Sequence, residues 1–239
     1  MKILINGSSV SANDGSWPFV LRDQLDCDIV NLSLAGAGNN YIAESTIEEL
    51  SRRSYDLVLI MWSDFIRTDI KVSHISPTFS DVYYTSLNQV NNTTAKKTVV
   101  EKARIQKDWV FSLAQLGDDN PIDSVKALYD GYYKSVLNDH LMANSIIKMI
   151  SLQGVLKTLN CPYLFLSYTP TVGHQRFSHL YNMLDPNNIY NGECLYSIAT
   201  KNGWWDHEDR HPTAPASKVY ADSLITRIEQ ITGHLPRRI

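Results

Sequence analysis

The stretch of sequence that decides the fold is Asp56-Leu57-Val58-Leu59-Ile60-Met61. Nearly all of its residues are apolar, and polar positions do not alternate with apolar ones. A strand needs apolar side chains in both directions when both faces of its sheet are covered, as in parallel sheets that carry helices on each side. The run therefore predicts a central strand of a parallel sheet.

Strand-like and helix-like patterns alternate on either side of this run, which indicates a parallel sheet covered by helices. Short apolar runs predict three more strands, at residues 3–5, 28–32 and 163–168. Caps and amphipathic spacing predict helices over residues 14–24, after Asn39 or Asn40, and after Thr213. The predicted fold class is therefore α/β, a three-layer α/β/α sandwich with a central parallel sheet.

Residues 71–122 depart from this alternation, because their first part is polar and rich in Asn, Ser and Thr. We predict a helical insertion here, which includes a helix carrying Trp109. A second helix is predicted over residues 124–159, with a break near Gly131 or Gly154. No repeat or low-complexity linker divides the chain, so residues 1–239 are predicted to form a single domain.

Composition excludes several classes of function. The net charge of the chain is -3, which offers no basic surface for the phosphates of a nucleic acid. The three cysteines are widely spaced, without the paired arrangement of a zinc or redox site. The first apolar run ends at Asn6 and is too short for a signal peptide or a membrane span. We therefore expect a cytoplasmic protein that binds neither nucleic acid nor membranes.

Polar loops follow the predicted strands, at the edge of a parallel sheet where ligands bind. Four of these loops hold short motifs. In chain order they are Gly7-Ser8-Ser9, Asn31-Leu32-Ser33-Leu34-Ala35-Gly36-Ala37-Gly38-Asn39, Trp62-Ser63-Asp64 and Glu208-Asp209-Arg210-His211-Pro212. In this order the chain resembles, from first strand to last helix, the SGNH hydrolases, the GDSL esterase and lipase superfamily. The likeness is to a divergent phage and bacterial branch, and it implies a flavodoxin-like sandwich of the SGNH type.

The resemblance implies a nucleophile and a base at opposite ends of the chain. Ser9 matches the nucleophile, whose hydroxyl needs an adjacent base at neutral pH. His211 matches the base, which takes the serine proton and returns it to the leaving group. The alternatives are a capping role for Ser9 and a loop role for His211.

The third member of the implied triad is open between two acidic residues. The family usually has Asp three residues before the histidine, and here that position holds Glu208, with Asp209 one residue later. We favour Glu208 over Asp209, with Asp206 as a third choice. The alternative is a solvated acidic cluster.

The resemblance also implies an oxyanion hole, made by the backbone N–H groups of Ser9 and Gly36 and a side chain of the third motif. That side chain is usually Asn, and Ser63 stands in its place, with Asn39 or Asn40 as helpers. Several aromatic residues are expected at the rim as substrate contacts: Trp17, Tyr41, Trp62, Tyr168, Trp204 and Trp205.

The expected function is hydrolysis of acyl esters through a Ser9 acyl-enzyme, with no metal or organic cofactor. The expected partner is a small-molecule or carbohydrate ester, such as an O-acetylated sugar. One alternative is a catalytically weakened glycan-binding or structural protein with the same fold. Another is a nucleotide-binding protein, in which the stretch from Gly36 to Asn40 cradles a phosphate at a helix start.

Overall fold

The computed structural model describes residues 1–25, 27–65, 67, 69–71, 109–110, 138–170, 175–207 and 211–233. The strands in chain order are β1 (Lys2–Asn6), β2 (Asp28–Asn31), β3 (Leu57–Trp62), β4 (Ile70–Lys71), β5 (Trp109–Val110) and β6 (Tyr163–Ser167). The helices are α1 (Ser9–Ala12), α2 (Trp17–Gln24), α3 (Asn39–Leu50), α4 (Asn138–Thr158), α5 (Ser178–Tyr181), α6 (Leu195–Asn202) and α7 (Ala214–Thr232).

Four strands form a parallel sheet in the order β2-β1-β3-β6. Every residue of β3 is buried, as the uninterrupted apolar run predicts. β3 pairs with β1 through Leu4 opposite Val58, and with β6 through Val58 opposite Tyr163. The four strands therefore end at one edge, and the loops that follow β1, β2, β3 and β6 meet there.

Helices cover both faces of the sheet, which confirms the predicted three-layer sandwich. On one face, α3 and α4 pack against each other and over side chains such as Leu4 and Ile60. On the other face, α2, α6 and α7 cover side chains such as Ile3, Ile5 and Leu59. Each fully buried aliphatic side chain stabilises the fold by about 1.5–3 kcal/mol. The two groups of buried side chains, one on each face, therefore hold the helices against the sheet.

Some predicted boundaries were wrong. α2 begins at Trp17 and not at residue 14, because Gly15 adopts a left-handed φ of +82° and Ser16 occupies the N-cap position. α4 continues through Gly154, so no break lies at that residue, and Gly131, the other predicted position of the break, lies outside the described residues. α6 was not predicted.

Most of the predicted insertion, residues 72–108 and 111–122, lies outside the described residues, as do residues 123–137. The helix expected to carry Trp109 is wrong at that residue, since Trp109 belongs to β5, which pairs antiparallel with β4. The backbones of the two short strands hydrogen-bond to each other. The helix-like spacing of apolar residues does not predict this pairing. Within the described ranges, no helix has the length and apolarity to cross a membrane.

Candidate active site

Ser9 lies where the chain leaves β1, as the first residue of α1. The side chain of Asn6 fixes this exit, because its Oδ1 accepts the backbone N–H of Gly7 at 2.9 Å. Its Nδ2 contacts three acceptors on α3: the carbonyl of Ile42 and the hydroxyls of Ser45 and Thr46, at 2.8–3.0 Å. Asn6 is fully buried, so the turn that carries Ser9 is anchored to a helix on one face of the sheet.

One further hydrogen bond and a steric restriction shape the turn that carries Ser9. Asn31, at the end of β2, donates from Nδ2 to the carbonyl of Ser11 at 2.7 Å. A side chain at position 7 does not fit, because a Cβ on Gly7 would lie 2.8 Å from the hydroxyl of Ser11. Asn6 and Asn31 hold the turn that carries Ser9, a role that the sequence did not lead us to assign to them. The signal was an Asn at the carboxyl end of each of two adjacent predicted strands.

His211 lies in a narrow loop before α7. The backbone N–H of Asp206 donates to the carbonyl of His211 at 2.8 Å, and Trp205 and Pro212 form an antiparallel bridge. The N–H of Thr213 donates to the carbonyl of Trp204 at 3.0 Å. These backbone bonds fix the backbone segment that carries the imidazole.

The structure brings together the two residues proposed from the sequence as nucleophile and base, Ser9 and His211. Nε2 of His211 lies 2.8 Å from Oγ of Ser9, across 202 residues of sequence. Ser9 is buried and His211 is partly buried. A neutral imidazole with its proton on Nδ1 accepts the serine hydroxyl proton at Nε2, which is the geometry of a general base beside a nucleophile.

Of the three acidic candidates for the triad, the structure describes only Asp206. Glu208 and Asp209 lie outside the described residues. The third choice, Asp206, is exposed, and its backbone is bonded to that of His211. The choice between Glu208 and Asp209 therefore stays a prediction.

Gly36 lies in a tight turn next to the nucleophile. The N–H of Leu34 donates to the carbonyl of Gly7 at 3.1 Å, and the N–H of Ala37 returns to the carbonyl of Leu34. Gly36 itself has a φ of +82°, a region that favours glycine. The loop after β2 thus reaches the residue two positions before Ser9.

Asn39 and Ser63 are bound to each other. Oδ1 of Asn39 accepts the N–H of Ser63 at 2.9 Å, and Nδ2 donates to the carbonyl of Ser63 at 3.2 Å and to the hydroxyl of Ser145 at 3.1 Å. Both amide hydrogens are therefore used inside the protein. Asn39 holds the backbone of Ser63 in place, and direct donation from Asn39 to a substrate would require one of these bonds to break.

The start of α3 does not offer a free phosphate cradle. The buried carboxylate of Asp69 accepts the backbone N–H groups of Gly38, Asn40 and Tyr41, at 3.1, 3.2 and 2.7 Å. Burial raises the pKa of Asp69 to about 6, while these three bonds act in the opposite direction. The N-terminal amides that a nucleotide phosphate would bind thus already hold a carboxylate of the protein.

Several expected rim aromatics lie in the core. Trp17 and Tyr41 are fully buried, and the indole N–H of Trp17 donates to Ser11 at 2.9 Å. Trp62 is also buried and packs edge-on against Phe165, with ring centroids 5.3 Å apart. Packing explains the positions of Trp17 and Tyr41, so the rim expectation was wrong for these two residues. Trp62 also lines a cavity of about 370 Å³, and its contact with substrate stays a prediction. The other three rim aromatics are half-buried: Tyr168, Trp204 and Trp205.

Comparison with known proteins places the fold. No protein-family model matches the chain, and no curated protein does. Among solved structures, the psychrotrophic esterase EstA from Pseudoalteromonas sp., inhibited by monoethylphosphonate, aligns with 98% of this chain and 99% of its own, at 14% identity and a TM-score of 0.51.

Two further solved structures align over nearly the whole chain. TesA aligns with 97% of this chain and 99% of its own, at 12% identity and a TM-score of 0.48. A catalytic mutant of an acetylxylan esterase from Geobacillus stearothermophilus aligns with 100% of this chain and 96% of its own, at 12% identity and a TM-score of 0.46. At such identities the likeness to EstA is one of fold, and it confirms the expected α/β architecture.

Proposed function

We propose that this chain, which has an SGNH-type hydrolase fold, is a serine hydrolase that cleaves acyl esters through a covalent intermediate on Ser9. The observation that carries the proposal is the 2.8 Å contact between Ser9 Oγ and His211 Nε2. Two loops at opposite ends of the sequence converge on this contact, and each is anchored by backbone bonds. A nucleophile within hydrogen-bond reach of a base is the minimal arrangement for acyl transfer.

In the first half of the reaction, Nε2 of His211 takes the hydroxyl proton as Oγ of Ser9 attacks the ester carbonyl. The carbonyl electrons move onto oxygen, and the backbone N–H groups of Ser9 and Gly36, with Ser63, stabilise this oxyanion. Collapse breaks the bond to the alcohol oxygen, which leaves with the proton from His211. Ser9 then carries the acyl group.

In the second half, water replaces the alcohol. His211 takes a proton from water, which attacks the acyl carbonyl, and the proton then returns to Oγ of Ser9 as the carboxylic acid leaves. Glu208, or else Asp209, orients the imidazole and stabilises its charged form. No metal or organic cofactor takes part in this scheme.

The proposed substrates are short acyl groups on a hydroxylated alcohol, O-acetyl sugars among them. Two facts favour a short acyl group. Ser9 is buried, and two of the aromatic residues expected to contact substrate at the rim, Trp17 and Tyr41, lie in the core. The catalytically weakened glycan-binding protein stays the alternative, since Ser63 replaces the usual Asn and the amide of Asn39 is engaged.

The test combines covalent labelling with turnover. The wild type should hydrolyse p-nitrophenyl acetate and be labelled by a fluorophosphonate, and Ser9→Ala should do neither. The matched control is Ser8→Ala, which removes the hydroxyl of the adjacent N-cap residue, where no capping hydrogen bond is made. Labelling that persists in Ser9→Ala, or glycan binding by a wild type that cannot be labelled, contradicts the proposal.

A further inference from the structure

A cavity of about 230 Å³ opens beside the Ser9–His211 pair, and both residues line it. The rest of its wall comes from the turn between α1 and α2 and from the start of α7. Neither Gly36 nor Ser63 is among the described residues that line it. The cavity therefore lies on the His211 side of the nucleophile, away from the oxyanion loop.

We infer that this cavity holds the alcohol half of the ester and selects alcohols that carry a positive charge or hydrogen-bond donors over anionic ones. The inference rests on the proposed function, because it assigns one side of the same site. It is independent of the identity of the acyl group.

The chemistry of the leaving group places the alcohol there. When the tetrahedral intermediate collapses, the bond between carbon and the alcohol oxygen breaks and its electron pair stays on that oxygen. The oxygen takes its proton from Nε2 of His211, so it must lie within hydrogen-bond reach of this atom. The space that adjoins both Ser9 and His211 is this cavity.

The wall of the cavity is rich in acceptors and negative charge. Asp14 and Asp206 line it, and no lysine or arginine is among the described residues that do. Ser16 also lines it, and its hydroxyl is buried without a hydrogen-bond partner in the described part of the chain. Because Ser16 is 7% exposed, a ligand hydroxyl would supply a bond that bulk water does not.

The charge effect should be modest, because Asp14 and Asp206 are exposed to solvent. Exposed charge pairs are screened by water and salt, and their effect corresponds to about two- to fivefold in kcat/KM. The preference should shrink as salt is added. An anionic alcohol should be disfavoured by a similar factor.

The test compares acetylcholine with 3,3-dimethylbutyl acetate, which has the same shape and acyl group but no charge. The wild type should favour the cationic ester about two- to fivefold in kcat/KM. Asp14→Asn should bring this ratio towards one. Asp28→Asn, which removes an exposed carboxylate at the start of β2 on the opposite edge of the sheet, should leave the ratio unchanged.

A second variant tests the position of the alcohol by size. Ala214 is exposed and lines the cavity at the start of α7. Ala214→Leu should raise the kcat/KM ratio of methyl acetate to acetylcholine, since only the larger alcohol meets the new side chain.

The outcomes separate this inference from the proposed function. Turnover of p-nitrophenyl acetate with Ser9-dependent labelling, but equal kcat/KM for the cationic and neutral esters in wild type and Asp14→Asn, overturns the alcohol site alone. An unchanged kcat/KM ratio of methyl acetate to acetylcholine in Ala214→Leu also overturns the alcohol site alone. A wild type that hydrolyses none of these esters overturns both.

Discussion

Leu34 donates its backbone N–H to the carbonyl oxygen of Gly7 at 3.1 Å, and this one bond joins the loop of Gly36 to the turn of Ser9. The two backbone donors proposed for the oxyanion therefore come from loops that are tied directly to each other. A shift of either loop should displace a donor.

Gly36→Ala should lower both stability and activity. Alanine at a φ of +82° costs about 1–2 kcal/mol, and displacement of one oxyanion donor lowers kcat by up to about 10²- to 10³-fold. The control is Gly203→Ala, where the φ is +66° and no atom crowds the position. Equal activity in the two variants, measured as kcat with p-nitrophenyl acetate, would remove Gly36 from the oxyanion hole.

His211→Gln should lower kcat by about 10²- to 10⁴-fold, because the general base is lost while the side chain keeps its polarity. Melting temperature should change little, since the loop is held by backbone bonds. His179→Gln, at an exposed position on α5, is the control and should behave as wild type. Similar kcat in both variants would contradict the role of His211.

Glu208→Gln should lower kcat by 10²-fold or more, because an uncharged amide cannot stabilise the imidazolium that forms during catalysis, and the comparable change in a serine protease costs about 10⁴-fold. Asp209→Asn should cost far less. Steady-state kinetics of the two variants decide between the residues. The reverse order would assign Asp209 as the orienting acid, and two silent variants would point to Asp206, the third choice.

Asn6→Ala should destabilise the protein by about 2–3 kcal/mol and also reduce kcat. It removes the three contacts of Nδ2 with α3 and the bond that Oδ1 accepts from the N–H of Gly7, and unsatisfied buried partners are costly. Ser45→Ala removes a single partner of Asn6 and should cost about 1 kcal/mol with kcat preserved. Urea unfolding and kinetics give the two readouts, and a destabilised Asn6→Ala with full kcat would limit Asn6 to folding.

Asp69 should make stability depend on pH in an unusual direction for a carboxyl group. Its pKa is raised from 3.8 to about 6, so the folded protein binds the proton more tightly than the unfolded chain. The stabilisation is fully present below about pH 4 and is lost as pH rises through 6, by up to about 3 kcal/mol. Denaturant unfolding at pH 4–7 should show this loss in the wild type relative to Asp69→Asn, and parallel curves would refute it.

The fold and the proximity of Ser9 to His211 could be predicted because both leave a local signal in the sequence. β3 is marked by apolar side chains that point to both faces of the sheet. Ser9 and His211 each follow a recognisable motif, and parallel strands bring such loops to one edge.

Contacts between distant loops left no such signal. Nothing in the neighbourhood of Gly38 indicates that a carboxylate 31 residues away caps α3, so the glycine-rich stretch could equally be interpreted as a phosphate site. Likewise, Asn39 has the residue type of an oxyanion donor, and its engagement by Ser63 depends on packing. Trp17 and Tyr41 were misplaced because side-chain type does not distinguish a core aromatic from one that faces a ligand.

The separation of 202 positions between Ser9 and His211 also makes their contact a measure of folding. Contacts between residues so far apart in sequence form late, since the entropy of closing the intervening chain must be overcome first. During synthesis, Ser9 would stay without its proposed base until the segment that carries His211 has left the ribosome and docked on the sheet. With Ser9 as the proposed nucleophile, its reactivity towards a phosphonate reports, molecule by molecule, whether the chain has completed its fold.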